Sequence, residues 1–344
     1  MNSAEKKLFM LFGIKRISLL FRGLMLLLFL VLAVAFAVSM TYSMVLEEDF
    51  YKIRKADGSG KEYEKNLLVV MYQTSDDFMQ KFRQGIYKYA EEKHILIDFV
   101  NVEDINEAID SINTAVAAKV DGIIAQGIYD AEYIKAINKA IEKGITVEFA
   151  YTDAMDANRV CFVGFNAYDY GKKAARCAIH QLPGMEGNIA LMLQSFAGDE
   201  KDITSSLFIE GFKSITDKYP KVKLVDILRT SYDLFSAEDM TYEILSRHPD
   251  IDAIVCTSEK DVFGAAQVVI DLNRVGNIKL IGAGVSKDIT RYIRLGVIAA
   301  SFDMNPELMS EKCIEIMAGD KVSSDYVEIP IEIVTANNVA DYAK

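Results

Sequence analysis

The sequence predicts an α/β protein with two domains built on parallel sheets and one transmembrane helix ahead of them. Three observations lead there. The 344 residues include 51% hydrophobic and 26% charged side chains with only 5 Pro and 20 Gly, a composition that buries a core and excludes a disordered or collagen-like chain. Ten short apolar runs follow residue 66, most of them separated by helical patterns. Near the N-terminus, 23 consecutive residues from Leu24 to Leu46 carry no charge.

The uncharged run comes first. At about 1.5 Å per residue, a helix of this length crosses the ~30 Å hydrocarbon core of a bilayer. Lys6, Lys7, Lys15, Arg16 and Arg22 precede it and Glu47, Glu48 and Asp49 follow it. The positive-inside bias therefore puts residues 1–23 in the cytoplasm, the anchor at 24–46 and the acidic body outside the cell membrane. A cleavable signal peptide also has a basic start and an apolar middle, and Ala35-Phe36-Ala37 resembles a cleavage site. The length of the run favours an uncleaved signal anchor, and no Cys precedes Cys161 to carry a lipid. Residues 47–66, with Gly58, Ser59 and Gly60, read as a polar stalk.

Beyond the stalk, strand-like runs fall at 67–72, 95–100, 122–125, 146–150, 160–164, 188–193, 222–228, 253–256, 279–282 and 298–302. Helical patterns fall at 78–92, 105–118, 131–143, 168–182, 205–218, 237–247, 262–273 and 306–318. Strands alternating with helices make parallel sheets covered on both faces. Ten units exceed what one sheet usually holds, so two α/β domains with a cleft between them are expected. In such sheets ligands bind beyond the carboxyl ends of the strands, which nominates the residues just after each strand.

The net charge of −12 disfavours a nucleic-acid partner. There is no GxGxxG after a strand, no GxxxxGK[ST], no HExxH and no GxSxG. Nothing supports an enzyme or a catalytic residue, and no cofactor is implied. His94, His180 and His248 sit at helix ends, where a solvated or dipole-facing role is expected. Cys161, Cys177, Cys256 and Cys313 read as small buried hydrophobes, and their spacing assembles no metal site.

A set of ordered landmarks is more specific. Leu67-Leu68-Val69-Val70-Met71-Tyr72-Gln73-Thr74-Ser75-Asp76-Asp77-Phe78-Met79 with Gly85 resembles the opening strand and helix of type I periplasmic sugar-binding proteins, the ribose-binding group. Asp121-Gly122-Ile123-Ile124, Ala136-Ile137, Lys143-Gly144-Ile145, Val163-Gly164-Phe165-Asn166 with Gly171, Glu210-Gly211-Phe212, His248-Pro249-Asp250-Ile251-Asp252-Ala253-Ile254 and Gly264-Ala265 follow in family order. The resemblance spans residues 66–335. It implies two similar three-layer αβα lobes joined by a three-segment hinge that close on a small ligand. One lobe would comprise 67–165 plus 305–328 and the other 166–304 plus 329–344. Lac-repressor-type regulators share this body but begin with a helix-turn-helix. Here the apolar run takes that place, which excludes DNA binding.

Carried over by position, the resemblance places Tyr72, Asp76, Phe78, Met79 and Gln126 of the first lobe at the ligand, with Tyr232, Ser258, Gly284 and Met304 opposite. An Asp-Arg pair of the family is replaced by Tyr151-Thr152-Asp153, an expected Arg falls on Ser206, and an expected Asp falls on Gly284. Tyr151, Asp153 and Asp303 lie at or within two residues of these positions and join the candidates. Phe78 either stacks on a ligand or packs in the core. Asp76 caps a helix, contacts ligand, or does both. Gln126 and Ser258 contact ligand or only satisfy loop backbone. The resemblance implies two functions, delivery of a sugar-like solute to an ABC permease or sensing through a partner such as a histidine kinase.

Overall fold

The computed structural model describes residues 63–72, 77–194, 202–230, 236–319 and 324–342, with 29, 31–34 and 36 of the N-terminal run. The chain divides into two units, Met1–Glu62 and Tyr63–Lys344. In the first unit Phe29, Val31–Val34 and Phe36 are helical and exposed. Among the described residues no helix is long and apolar enough to cross a membrane. Most of the 24–46 span lies outside the described residues.

The second unit contains two six-stranded sheets. In the first, β1 (Lys65–Tyr72) lies between β2 (Ile95–Val102) and β3 (Gly122–Gln126), followed by β4 (Thr146–Tyr151), β5 (Cys161–Gly164) and β11 (Tyr326–Glu328), all parallel. In the second, β6 (Gly187–Gln194) lies between β7 (Val222–Thr230) and β8 (Ala253–Cys256), followed by β9 (Lys279–Ala283), β10 (Ile298–Asp303) and the antiparallel β12 (Glu332–Thr335). Both central strands are buried on both faces, so they read as continuous apolar runs rather than alternating ones.

Helices α1 (Asp77–Glu92), α2 (Ile105–Ala117), α3 (Ala131–Glu142) and α9 (Pro306–Ala318) cover the first sheet. Helices α4 (Ala167–Gln181), α5 (Ile203–Thr216), α6 (Ser236–Arg247), α7 (Glu259–Asp271) and α8 (Lys287–Arg294) cover the second. Side chains of Asp104, Asp130, Asn166, Asp202, Ser258, Ser286 and Asn305 accept from amides of the first turns that follow them. These caps set where the chain leaves the cleft and enters a helix. The chain passes between the sheets three times: after β5, between β10 and α9, and between β11 and β12.

Two elements differ from the sequence reading. Helix α8 is not among the helical patterns read from the sequence, and its eight residues include Lys287, Asp288, Arg291 and Arg294. Only Ile289, Thr290 and Ile293 are buried, one turn apart, and Ser286 caps it. Strand β11 is three residues long and exists through its pairing with β5, a contact that no local pattern reveals. All four cysteines are buried and free. His248 faces the Asp226 carboxylate at 3.2 Å.

Candidate functional site

The carboxyl ends of the two sheets face each other across a cavity with an empty volume of about 420 Å³. Asp77 and Phe78, at the start of α1, and Tyr151, at the end of β4, form the wall from the first lobe. Gln194, Thr257, Ser258, Glu259 and Gly284 follow the ends of β6, β8 and β9 on the other side. Asp303, Met304 and Pro306 line the crossing between them. A second chamber of about 440 Å³ shares Tyr151, Gln194, Thr257 and Met304 with the first and extends to Phe165, Tyr170, Ser205 and Phe208.

An aromatic chain runs along the floor. The rings of Phe78 and Tyr151 lie 4.9 Å apart, Tyr151 meets Phe165 edge-on at 5.6 Å, and Phe165 meets Tyr170 at 5.8 Å. Tyr170 is in turn packed edge-on against Phe208 and Phe302. Tyr151 holds φ +71, a left-handed backbone unusual for an aromatic residue. Such strain persists where the surroundings over-determine it, here by aiming the ring into the cleft. The Tyr170 hydroxyl is buried with no hydrogen-bond partner among the described residues.

The polar side is acidic. The backbone N–H of Asp77 donates to Oε2 of Glu259 at 3.3 Å, a hydrogen bond that spans the two lobes. It sets a carboxylate at the positive end of α1, where a negative group is favoured. A Cβ built on Gly284 would lie 2.8 Å from that same Oε2, and Gly284 has φ +87. Where the resemblance expects an Asp, the chain therefore has no side chain, and the Glu259 carboxylate occupies the space. Asp303 accepts from the Asn305 N–H at 2.9 Å. Burial pushes the Asp303 carboxyl above its usual range, with Asn305 and Lys81 pulling it down and Glu332 and Asp77 pushing it further up. Lys81 pairs with Asp77 at 2.7 Å.

Of the residues nominated by sequence, Phe78, Tyr151, Ser258, Gly284, Asp303 and Met304 line the cavity. Ser258 also caps α7, accepting from the Asp261 N–H at 3.1 Å, the backbone role that the sequence offered for it. Tyr72, Met79, Gln126 and Asp153 do not line it. Met79 faces the core beneath α1 with Phe82 and Ile86. Tyr72 is buried in the first lobe, and its N–H donates to the Gln126 side-chain carbonyl at 3.4 Å. Arg159 grips Asp153 through two bonds of 2.6 and 2.5 Å. Asp76 and Tyr232 lie outside the described residues. Sequence reasoning missed Gln194, Thr257 and Glu259. Their only signal is position, Gln194 and Thr257 at or just after a strand end and Glu259 opening the helix that follows β8.

The profile of the periplasmic binding protein domain matches residues 67–319. The chain belongs to the periplasmic binding protein family. Among curated relatives, this binding protein is 21% identical over 272 residues to the D-allose-binding periplasmic protein of Escherichia coli, covering 76% of this chain and 86% of the relative. Among solved structures it is similar to GanP, a glucose-galactose binding protein from Geobacillus stearothermophilus, at 27% identity and TM-score 0.73 over 81% of this chain and 99% of that one. It is also similar to XylFII as solved in the XylFII-LytSN complex, at 26% identity and TM-score 0.71 over 79% of this chain and 98% of the other. The two-lobe α/β body is thus the one that the ordered landmarks imply.

Proposed function

We propose that this periplasmic binding protein is a membrane-anchored extracytoplasmic receptor that closes on a small sugar-like ligand and presents it to an ABC-type importer. The observation that carries the reading is the bond from the Asp77 N–H to Glu259 across a cavity with rings on one wall and hydrogen-bonding groups on the other. Flat apolar faces suit the C–H side of a sugar ring, and Gln194, Thr257 and Ser258 suit its hydroxyls. In this reading residues 24–46 anchor the chain, 47–66 form a stalk, and the lobes comprise 67–165 plus 305–328 and 166–304 plus 329–344. Asp76 and Tyr232 are, in this reading, further ligand contacts.

A second reading has a specific observation in its favour. The similarity to XylFII in complex with LytSN supports a sensing subunit whose closure is read by a membrane partner such as a histidine kinase. In either reading the ligand acts by binding the closed state better than the open one.

The test is a melting-temperature screen of the full chain in mild detergent against monosaccharides, disaccharides, polyols and nucleosides. A ligand at 100 times its Kd adds about 2.7 kcal/mol of stability. Tyr232→Ala and Asp76→Ala should each weaken a hit by about 1–3 kcal/mol. Absence of any shift across the panel removes the solute-binding reading. Co-purification with a permease or with a kinase separates import from sensing.

A further inference from the structure

The two chambers differ in chemistry. Asp77, Glu259 and Asp303 line the first alone, and among the described lining of the second there is no charged side chain. The second instead carries the rings of Tyr151, Phe165, Tyr170 and Phe208 and the Met304 side chain. Two of its hydroxyls are already committed within the protein. That of Thr152 donates to the Gly127 carbonyl at 2.8 Å, and that of Thr257 accepts from the Gln194 N–H at 3.0 Å. Because the chambers share Tyr151, Gln194, Thr257 and Met304, one solute can extend from the first into the second.

Tyr170 stands apart in this lining. It is 3% exposed, and its hydroxyl is buried with no hydrogen-bond partner among the described residues. Phe165, Phe208 and Phe302 meet its ring edge-on at 5.8, 4.9 and 5.1 Å and hold it in place. Burial, with Tyr151 adding to it, keeps the phenol protonated, so it is a donor. A donor buried without a partner costs the folded state its lost hydration, and that cost calls for a reason outside the packing of the lobe. A solute acceptor in the chamber would remove it. A second sugar unit there would set a hydroxyl on most of its carbons against rings that offer no partner, whereas a flat apolar group is covered by them.

We infer that the second chamber receives a flat, neutral group joined to the sugar, and that the Tyr170 hydroxyl donates a hydrogen bond to an acceptor on that group. The ligand class is a sugar bearing a planar aglycone with an acceptor atom, the chemistry that nucleosides and aryl glycosides share. This inference rests on the solute-binding reading and adds what the sugar carries. Tyr170 then sets specificity, because a solute without the acceptor leaves its hydroxyl unpaired.

The experiment compares four series on the full chain in mild detergent. Adenosine, guanosine, cytidine and uridine form the first, the 4-nitrophenyl glycosides of glucose and galactose the second, ribose, glucose and galactose the third, and maltose and lactose the fourth. At least one member of the first two series should raise the melting temperature, with its parent sugar and the disaccharides giving a smaller shift or none at the same concentration. The arm that responds distinguishes a nucleoside from an aryl glycoside. Tyr170→Phe removes only the hydroxyl. It should weaken the responding solute about 10-fold by calorimetry and keep or raise the Tm of the solute-free protein, because a phenyl ring has no donor to bury. A side chain that serves the fold alone would not move the two readouts in opposite senses. Parent sugars or disaccharides that bind as well as the first two series, an affinity unchanged in Tyr170→Phe, or a variant that melts lower or fails to fold without solute would each overturn this inference and leave the solute-binding reading intact. Silence from all four series together with the wider panel would overturn both.

Discussion

Where α4 crosses α5 in the second lobe, a Cβ on Gly171 would lie 2.0 Å from the Phe208 carbonyl oxygen, and one on Gly211 would lie 2.0 Å from that of Tyr168. Where α1 crosses α9 in the first lobe, a Cβ on Gly85 would lie 2.1 Å from the side-chain oxygen of Ser310. One crossing is backbone against backbone, and the other is backbone against a small side chain that can be exchanged. The walls of the cavity differ in the same sense. The second lobe presents carboxylate and hydroxyl groups from strand ends and a capped helix, and the first presents the Phe78 and Tyr151 rings. Hydrogen-bonding groups act only in fixed directions, and most of those in the lining sit on the lobe whose helices are locked together, whereas ring stacking tolerates small shifts.

The sharpest test of that contrast is the crossing itself. Gly171→Ala and Gly211→Ala push a methyl group into backbone and should destabilise by about 3 kcal/mol. In a calorimetric scan each should lower Tm by about 6–10 °C. An unchanged Tm in both would show that the two crossings are equally adjustable.

The buried acids extend the comparison. In the second lobe Asp261 accepts from the Thr230 hydroxyl at 2.9 Å, and burial nonetheless raises its pKa from 3.8 to about 6. The native state therefore keeps this proton longer than the unfolded chain. The stability it contributes is complete below about pH 4 and is lost as pH rises through about 6. Asp261→Asn should flatten this part of the stability–pH profile, a difference of roughly 3 kcal/mol at pH above 7. In the first lobe Glu148 is fully buried on β4, with no hydrogen-bond partner for either carboxyl oxygen among the described residues and the Cys313 thiol beside it. Burial raises its pKa well above the usual range, so this carboxyl too favours the folded state in its protonated form and loses that contribution as pH rises.

Tyr151→Ala removes a ring from the wall of the first lobe and should weaken ligand by about 1–3 kcal/mol in a titration, with less effect on Tm without ligand. The smallest change is expected at the adjustable crossing. Gly85→Ala should cost about 1 kcal/mol, and Ser310→Ala in the same chain should recover part of it, because it removes the hydroxyl at 2.1 Å and leaves the Ser310 Cβ at 2.9 Å.

Most of the fold was legible because each sheet is parallel and buried on both faces, so β1 and β6 appear as unbroken apolar runs between amphipathic helices. Helix α8 and strand β11 were not, since one is short and charged and the other exists only through its partner. The site was legible where it follows a strand end directly, as at Tyr151, Ser258, Asp303 and Met304. Glu259 was hidden because its role depends on two residues far away in sequence, the amide of Asp77 and the missing side chain of Gly284. Met79 and Asp153 were misdirected by position alone. One is turned inward by the helical period, and the other is claimed by Arg159.

The last passages between the sheets also set a timetable for synthesis. Helix α9 covers one face of the first sheet, bringing Met309, Cys313, Ile314 and Met317 against Leu67, Val69, Met71, Phe82 and Ile86, and β11 closes its edge. Those pieces leave the ribosome more than two hundred residues after β1. The described α-helices of the second lobe, α4–α8, are made before them, so the middle of the chain can settle while its beginning still waits with an apolar face uncovered. A chain of this topology presents a sticky intermediate to whatever escorts it during export, and that interval closes only when the final forty or so residues arrive.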